Sequence, residues 1–246
     1  MSFKTIDINA DVGEGLNNED ILMPYLSSCN IACGGHAGDL ETMTKVVRLA
    51  KQYKVKIGAH PSFPDKENFG RVACDMPAAD LFSSLKSQIR SLQEVLYKEN
   101  VQLHHIKPHG ALYNLAAKDE KIAKVVVEVF KSIAMPIQLY APYKSVIVKL
   151  AKDEKIEVTF EAFADRNYNS DLSLVSRKNN NAILHENSKI LDHVLNMIHR
   201  EKVTAVNGVE VSIKASTFCV HGDTKNAFDI LDFLTKELPK YNVRIQ

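Results

Sequence analysis

Six short β-prone runs in this chain each end in a cluster of His, Asp, Glu, Lys or Arg mixed with Gly or Pro. They are IDINADVGEG from Ile6, NIACGGHAGD from Asn30, KIGAHPSFPD from Lys56, IKPHGALYN from Ile106, FEAFADR from Phe160 and FCVHGD from Phe218. Side chains able to move protons, bind ions or grip anions therefore lie on backbone that must bend just after a strand. In parallel α/β folds the carboxyl ends of the strands gather at one face, where residues distant in sequence converge. The pattern predicts an enzyme whose site is shared among strand ends.

Asp7, Asn9 and Asp11 alternate along the first run, so all three face one side of a strand. Their neighbours Ile6, Ile8 and Ala10 suit a strand buried on its other face, which points the polar set inward, near the mouth of a barrel. Asp11 and Glu14 have the chemistry of a general base or a metal ligand. His36 follows Gly34 and Gly35 and precedes Asp39, a helix cap; the amides there can hold an anion such as a substrate carboxylate. Asn9, Gly34 and Gly35 are accordingly substrate-binding candidates, and His36 and His60, at equivalent strand ends, are catalytic ones.

Lys107 and His109 flank Pro108. A lysine ending an apolar strand is costly to bury unless it is paired or used, so Lys107 is a candidate for neutralising a developing oxyanion or a phosphate. His104 and His105 open that run and read as structural, and Pro108 puts His105 and His109 on extended chain, which argues against a helical metal pair. Glu161, Asp165 and Arg166 close the next cluster, where Arg166 is either an ion-pair partner or a bidentate grip on a carboxylate ligand. His221 joins the catalytic set; Asp223 suits either a helix cap or the site.

These clusters need a frame. Apolar residues recur at helical spacing over about 39–53, 77–98, 119–133, 143–152, 188–200 and 224–237, and strands are predicted at 5–10, 28–33, 55–59, 103–107, 137–140, 156–160 and 217–220. Such alternation implies right-handed βαβ units and a parallel sheet, with seven strands enough for a closed or nearly closed barrel. Two stretches break the rhythm: TAVNGVEVSI, which reads as a hairpin inserted near 203–214, and an Asn- and Ser-rich segment at 168–183, which reads as a long loop or small hairpin over the site.

The chain has 246 residues, 45% of them apolar, enough for one domain spanning 1–246. Its 31 Lys and Arg balance 30 Asp and Glu, so nothing recommends nucleic acid or an anionic membrane as a partner. A small-molecule substrate and a cytoplasmic protein are expected, since no apolar run approaches a membrane span. Cys29, Cys33, Cys74 and Cys219 are too few and too scattered for a disulfide framework or a structural zinc site. The chain contains neither a GxxxxGK[ST] phosphate loop nor a GxSxG nucleophile elbow.

Taken in order, DINADVGEG, NIACGGHAGD, GAHPSFPD with FGR after it, KPHGALYN, EAFADR and VHGDT resemble the LamB/YcsF family, described as the A subunit of 5-oxoprolinase, from about Ile6 to about Thr224. The resemblance implies an irregular (β/α) barrel of about seven parallel strands, like glycoside hydrolases and polysaccharide deacetylases. It also implies ATP-dependent opening of 5-oxo-L-proline to L-glutamate together with subunits B and C. Gly35 stands where that family usually carries an aromatic, a change expected to widen the pocket or shift His36. In this reading ATP activates the amide oxygen, Lys107 and a histidine stabilise its charge, Asp11 or Glu161 serves as base for water, and Arg166 or the amides at 33–36 hold the substrate carboxylate. Two other readings stay open. One is a metal-dependent hydrolase or deacetylase for a carbohydrate or amide, with Asp11, His36, His60 and His109 or His221 around a divalent ion. The other is a noncatalytic binding module of a larger assembly.

Overall fold

The first strand, β1 (Lys4–Val12), sets the architecture through its alternation. Ile6, Ile8, Ala10 and Val12 are buried and join the apolar layer beneath the helices, while Asp7, Asn9 and Asp11 take the opposite face. The computed structural model describes residues 3–224 and 226–246. Strands β2 (Ser28–Ala32), β3 (Lys56–His60), β4 (His105–Ile106), β5 (Gln138–Pro142) and β6 (Val158–Phe163) follow in parallel. After the antiparallel pair β7 (Lys202–Thr204) and β8 (Glu210–Ser212), β9 (Thr217–Cys219) pairs in parallel with both β6 and β1. The result is a closed parallel barrel of seven strands. A short β10 (Val243–Ile245) adds to the amino-terminal end of β1, through Lys4, Thr5 and Ile6. Its three residues are too few to show a period, and the sequence reading missed it.

Helices cover the outside: α1 (Glu19–Leu22), α2 (Leu40–Tyr53), α3 (Ala78–Lys98), α4 (Gly110–Ala116), α5 (Glu120–Lys131), α6 (Val146–Asp153), α7 (Asn187–Arg200) and α8 (Ala227–Glu237). Caps set several starts. Asp39 accepts from the Thr42 amide at 2.8 Å, Asp119 from Lys121 and Ile122, and Ser145 from Val148. The helix expected from 143 therefore begins at Val146, and the one expected from 224 begins at Ala227, after Asn226. Helix α4 is too short for periodicity to reveal. The turn between β7 and β8 closes through Gly208 N–H to Ala205 O at 2.8 Å, with only Gly208 of the Asn-Gly pair at positive φ (83°). That is the type I turn with a glycine bulge rather than a two-residue primed turn. Among the described residues no helix is long and apolar enough to cross a membrane.

The barrel interior is polar. Across neighbouring strands, Asn30, Gly58 and His105 stand in register. The His105 ring lies where a Cβ on Gly58 would sit, 2.1 Å from its Nε2, and stacks on Tyr140 at 3.8 Å. His105 Nε2 meets Asn30 Oδ1 at 2.7 Å, and the Asn30 amide donates to Asn9 Oδ1 and Asp11 Oδ1, both at 2.8 Å. Lower in the barrel, the Ser28 and Thr217 hydroxyls donate to Asp7. Such a network is tolerable only because nearly every member finds a partner; it holds the side chains of the mouth in fixed positions.

Candidate active site

Lys107, 2% exposed, stands at the centre of the mouth. Its ammonium lies 2.8 Å from Glu161 Oε1, 3.0 Å from Asp11 Oδ1 and 3.2 Å from Cys219 Sγ. Burial works against the charge, but Asp11, Cys219 and Glu161 outweigh it and hold the Lys107 pKa well above the ordinary value. Burial likewise pushes the Asp11 carboxyl up, and His60 and Lys107 together overcome it and carry its pKa well below the usual range. The pair is ionised, and Asp11 remains partly open at the mouth. Glu161, expected as a candidate base for water, lies beneath Lys107 at 1% exposure, bonded to it and to the Asn9 amide. That position makes it a counter-ion. Asn9, expected to touch substrate, is fully buried and works inside the network, bonding Glu161, Thr217 and Asn30.

On one side of Lys107, four side chains from four strand ends face one another. Glu14 comes from the turn after β1, His36 from the loop after β2, His60 from the end of β3 and His109 from the residues after β4; their ligand atoms all lie within 4.8 Å of one another. His36 and His109 stack face to face at 3.6 Å, and the Phe69 ring packs edge-on against both. Burial, then the Asp11 charge, raise the Glu14 pKa to about 7. Burial, then the neighbouring His60, lower His36 to about 3 and His109 to about 2, so both are neutral imidazoles.

On the other side, His221 Nδ1 donates to Asp165 Oδ1 at 2.8 Å, and the Asp165 carboxylate also accepts from the Thr224 hydroxyl and the His221 amide. Burial opposes that charge; His221 and the hydrogen bonds overcome it and hold the Asp165 pKa at about 2. Asp165 is wholly buried, and its hydrogen bond to His221 fixes that ring. His221 lies over Phe163 at 5.2 Å, with its other nitrogen left to act as an acid or base.

Three further expectations are corrected. Arg166, expected to grip a substrate carboxylate, is buried and donates to the backbone carbonyls of Val175 at 2.6 Å and Ala182 at 3.2 Å, bracing the 168–183 segment. The Gly34 amide, expected to hold an anion, donates to Ala37 O at 2.8 Å within its own turn. Gly35 does not widen the pocket. The Gln88 side chain fills the room, a Cβ on Gly35 falling 2.4 Å from its Oε1, and Gln88 pairs with the Ser62 backbone through both amide atoms.

The cations that sequence reasoning passed over are Arg71, within the FGR run, and Arg177. Arg71 reaches Asp223 at 2.6 Å and Arg177 reaches it at 2.8 Å, so one carboxylate ties the loop after β3 to the 168–183 segment. Asp223 therefore does not cap α8, whose first turn follows Asn226. Nothing in local periodicity marks Arg177; it arrives through the path of a long loop.

The family model described as LamB/YcsF family matches residues 6–246. The chain belongs to the LamB/YcsF family. Relatives of this LamB/YcsF chain include a protein of Haemophilus influenzae (strain PittEE) named as the A subunit of 5-oxoprolinase, 40% identical over 98% of this chain and 99% of that one. A second protein of that name, from Alkaliphilus metalliredigens (strain QYMF), is 39% identical over 98% of this chain and 96% of its own length. Among solved structures, the lactam utilization protein from Thermus thermophilus superposes with a TM-score of 0.91 at 31% identity, covering 98% of this chain and 99% of that one. This LamB/YcsF chain thus shares its barrel, end to end, with that solved structure.

Proposed function

We propose that this chain is the A subunit of an ATP-dependent 5-oxoprolinase and carries the barrel site at which 5-oxo-L-proline is opened to L-glutamate. The observation that carries the reading is the 40% identity, over nearly the whole of both chains, to proteins named as the A subunit of 5-oxoprolinase. The site chemistry agrees with it. An unstrained lactam resists water, so its oxygen must first be activated, and transfer of the ATP γ-phosphoryl group to that oxygen would leave ADP and a phosphorylated imidate. Water then adds to the same carbon, the ring C–N bond breaks as a proton reaches nitrogen, and the remaining acyl phosphate is hydrolysed to the carboxylate and inorganic phosphate. Lys107, charged and immobile, is placed to stabilise charge on the oxygen. Ionised Asp11, or His221 oriented by Asp165, takes the proton of the attacking water. Arg71 and Arg177, two guanidinium groups on a single carboxylate, are the cations best able to take a substrate carboxylate or a phosphate.

The chain has no phosphate loop, so subunits B and C contribute to nucleotide handling in this reading. The test measures ATP hydrolysis and glutamate release that depend on 5-oxoproline, first with this chain alone and then with B and C. Turnover only in the assembled complex is expected. Robust turnover by this chain alone would remove the requirement for partners, and an assembled complex that does not respond to 5-oxoproline would refute the proposal. A second reading, a metal-dependent hydrolase of a carbohydrate or another amide, is favoured by the cluster of Glu14, His36, His60 and His109. Hydrolysis of acetylated sugars by this chain alone would support it.

A further inference from the structure

Two hydrogen bonds fix the protons of His60 and His109. His60 Nδ1 lies 2.7 Å from the Lys107 carbonyl and His109 Nε2 lies 3.0 Å from the Phe69 carbonyl. A carbonyl can only accept, so each of these nitrogens carries a hydrogen, and the other nitrogen of each ring is the one left to meet a cation. Those two remaining nitrogens, His60 Nε2 and His109 Nδ1, face each other at 2.9 Å. Two ring nitrogens at that separation must share something positive, a proton or a metal ion. Glu14 Oε1 adds a third electron-rich atom, 3.3 Å from His109 Nδ1 and 3.9 Å from His60 Nε2. His36 Nε2 lies 2.9 Å from the same carboxylate oxygen, a contact that its N–H satisfies until a cation takes the place of that proton.

We infer that Glu14, His36, His60 and His109 form a site for one divalent transition cation, of the zinc class, at the mouth of the barrel. A tetrahedral cation with bonds of about 2.0–2.1 Å sets its ligand atoms about 3.3 Å apart. Four of the six separations here, 2.9, 2.9, 3.3 and 3.9 Å, scatter about that edge length, and the other two stay within 4.8 Å. Three imidazoles and one carboxylate are the donor types such ions prefer over magnesium or calcium, which favour oxygen. The backbone carbonyls behind His60 and His109 are the outer contacts that orient ligating histidines. His36 lacks one: its Nδ1 is buried and finds no partner among the described residues, so no carbonyl dictates its tautomer and Nε2 can be turned to the cation. The rival arrangement, a proton shared by His60 and His109 alone, gives no account of why Glu14 and His36 close on the same point. A cation here would supply Lewis acidity on the face of the site where Asp11, which holds Lys107 at 3.0 Å, meets His60 at 3.4 Å.

The site is independent of the 5-oxoprolinase reading, and binding tests it without turnover. The full chain is stripped with a chelator, returned to metal-free buffer and titrated with Co²⁺. One equivalent should bind with the strong visible absorption of four-coordinate cobalt, Zn²⁺ should displace it, and elemental analysis after zinc loading should find one zinc per chain. Glu14→Gln, His60→Asn and His109→Asn should each weaken binding by on the order of 100-fold, at the upper end of what even an outer-contact change costs. His185→Asn, at an exposed histidine outside the cluster, should leave binding unchanged. Should a variant fail to fold, the unaltered chain decides alone: no cobalt absorption and no zinc-dependent rise in unfolding temperature would overturn the inference, as would full binding retained in both folded histidine variants. A complex that opens 5-oxoproline but binds no cation would remove the site and leave the proposed function standing.

Discussion

Replacing Gly58 by alanine adds one methyl group to the barrel interior, and the neighbours decide what it costs. The new Cβ would fall 2.1, 2.4 and 2.5 Å from Nε2, Cδ2 and Cε1 of His105. The ring cannot retreat easily, because Tyr140 stacks on one face at 3.8 Å and Asn30 holds Nε2 at 2.7 Å. Forcing a group into a packed core costs about 1–3 kcal/mol. Displacing the ring also strands the Asn30 carbonyl, and a buried polar group left without a partner costs a further ~1–3 kcal/mol. Alanine is better than glycine in a strand by only roughly 0.5–1 kcal/mol. A net loss of about 2–5 kcal/mol is therefore expected, measured as a fall in the urea midpoint at unchanged slope. The background His105→Ala removes the obstacle, so there Gly58→Ala should be neutral or slightly stabilising, a coupling of about 3 kcal/mol between adjacent residues. A Gly58→Ala cost below about 1 kcal/mol, or an equal cost in both backgrounds, would refute the steric reasoning.

Lys107→Met should abolish turnover of the assembled complex and cost about 3–5 kcal/mol in urea unfolding, because it leaves Asp11 and Glu161 without their shared cation; adding Glu161→Gln should recover part of the stability and none of the activity. Asp165→Asn should lower kcat far more than it changes KM, since it acts from a wholly buried position on the His221 ring. Asp165 also makes a pH prediction: its pKa is about 2 in the fold against an ordinary 3.8, so its contribution is present above pH 4 and is lost as pH falls from about 4 to 2. That loss amounts to about 2 kcal/mol, measurable as acid-dependent urea midpoints and missing from Asp165→Asn. Burial raises the thiol pKa of Cys29, Cys33 and Cys219, so a disulfide reagent should react with no more than Cys74 in the native chain and with all four cysteines once it is unfolded. Arg177→Ala should release the tie to Asp223 and raise the KM for 5-oxoproline in the complex, with circular dichroism unchanged.

By itself the sequence determined the frame: alternation in β1, strand–helix rhythm and the polar runs at six strand ends define a parallel barrel with polar side chains gathered at one mouth, because periodicity and turn chemistry are local properties of the chain. Lys107 could be singled out for the same reason, since a lysine closing an apolar strand must be paired or used. Pairing, tautomers and loop paths are not local. Only the closed barrel brings Glu161 beneath Lys107 across 54 positions and makes it a counter-ion, and only the fold of the 168–183 segment commits Arg166 to carbonyls and delivers Arg177 in its place. The facing ring nitrogens of His60 and His109 follow from two backbone carbonyls, those of Lys107 and Phe69, which no side-chain pattern encodes. A sequence names the groups a site can use; which nitrogen carries the proton, and what must lie opposite it, is decided by where the backbone passes.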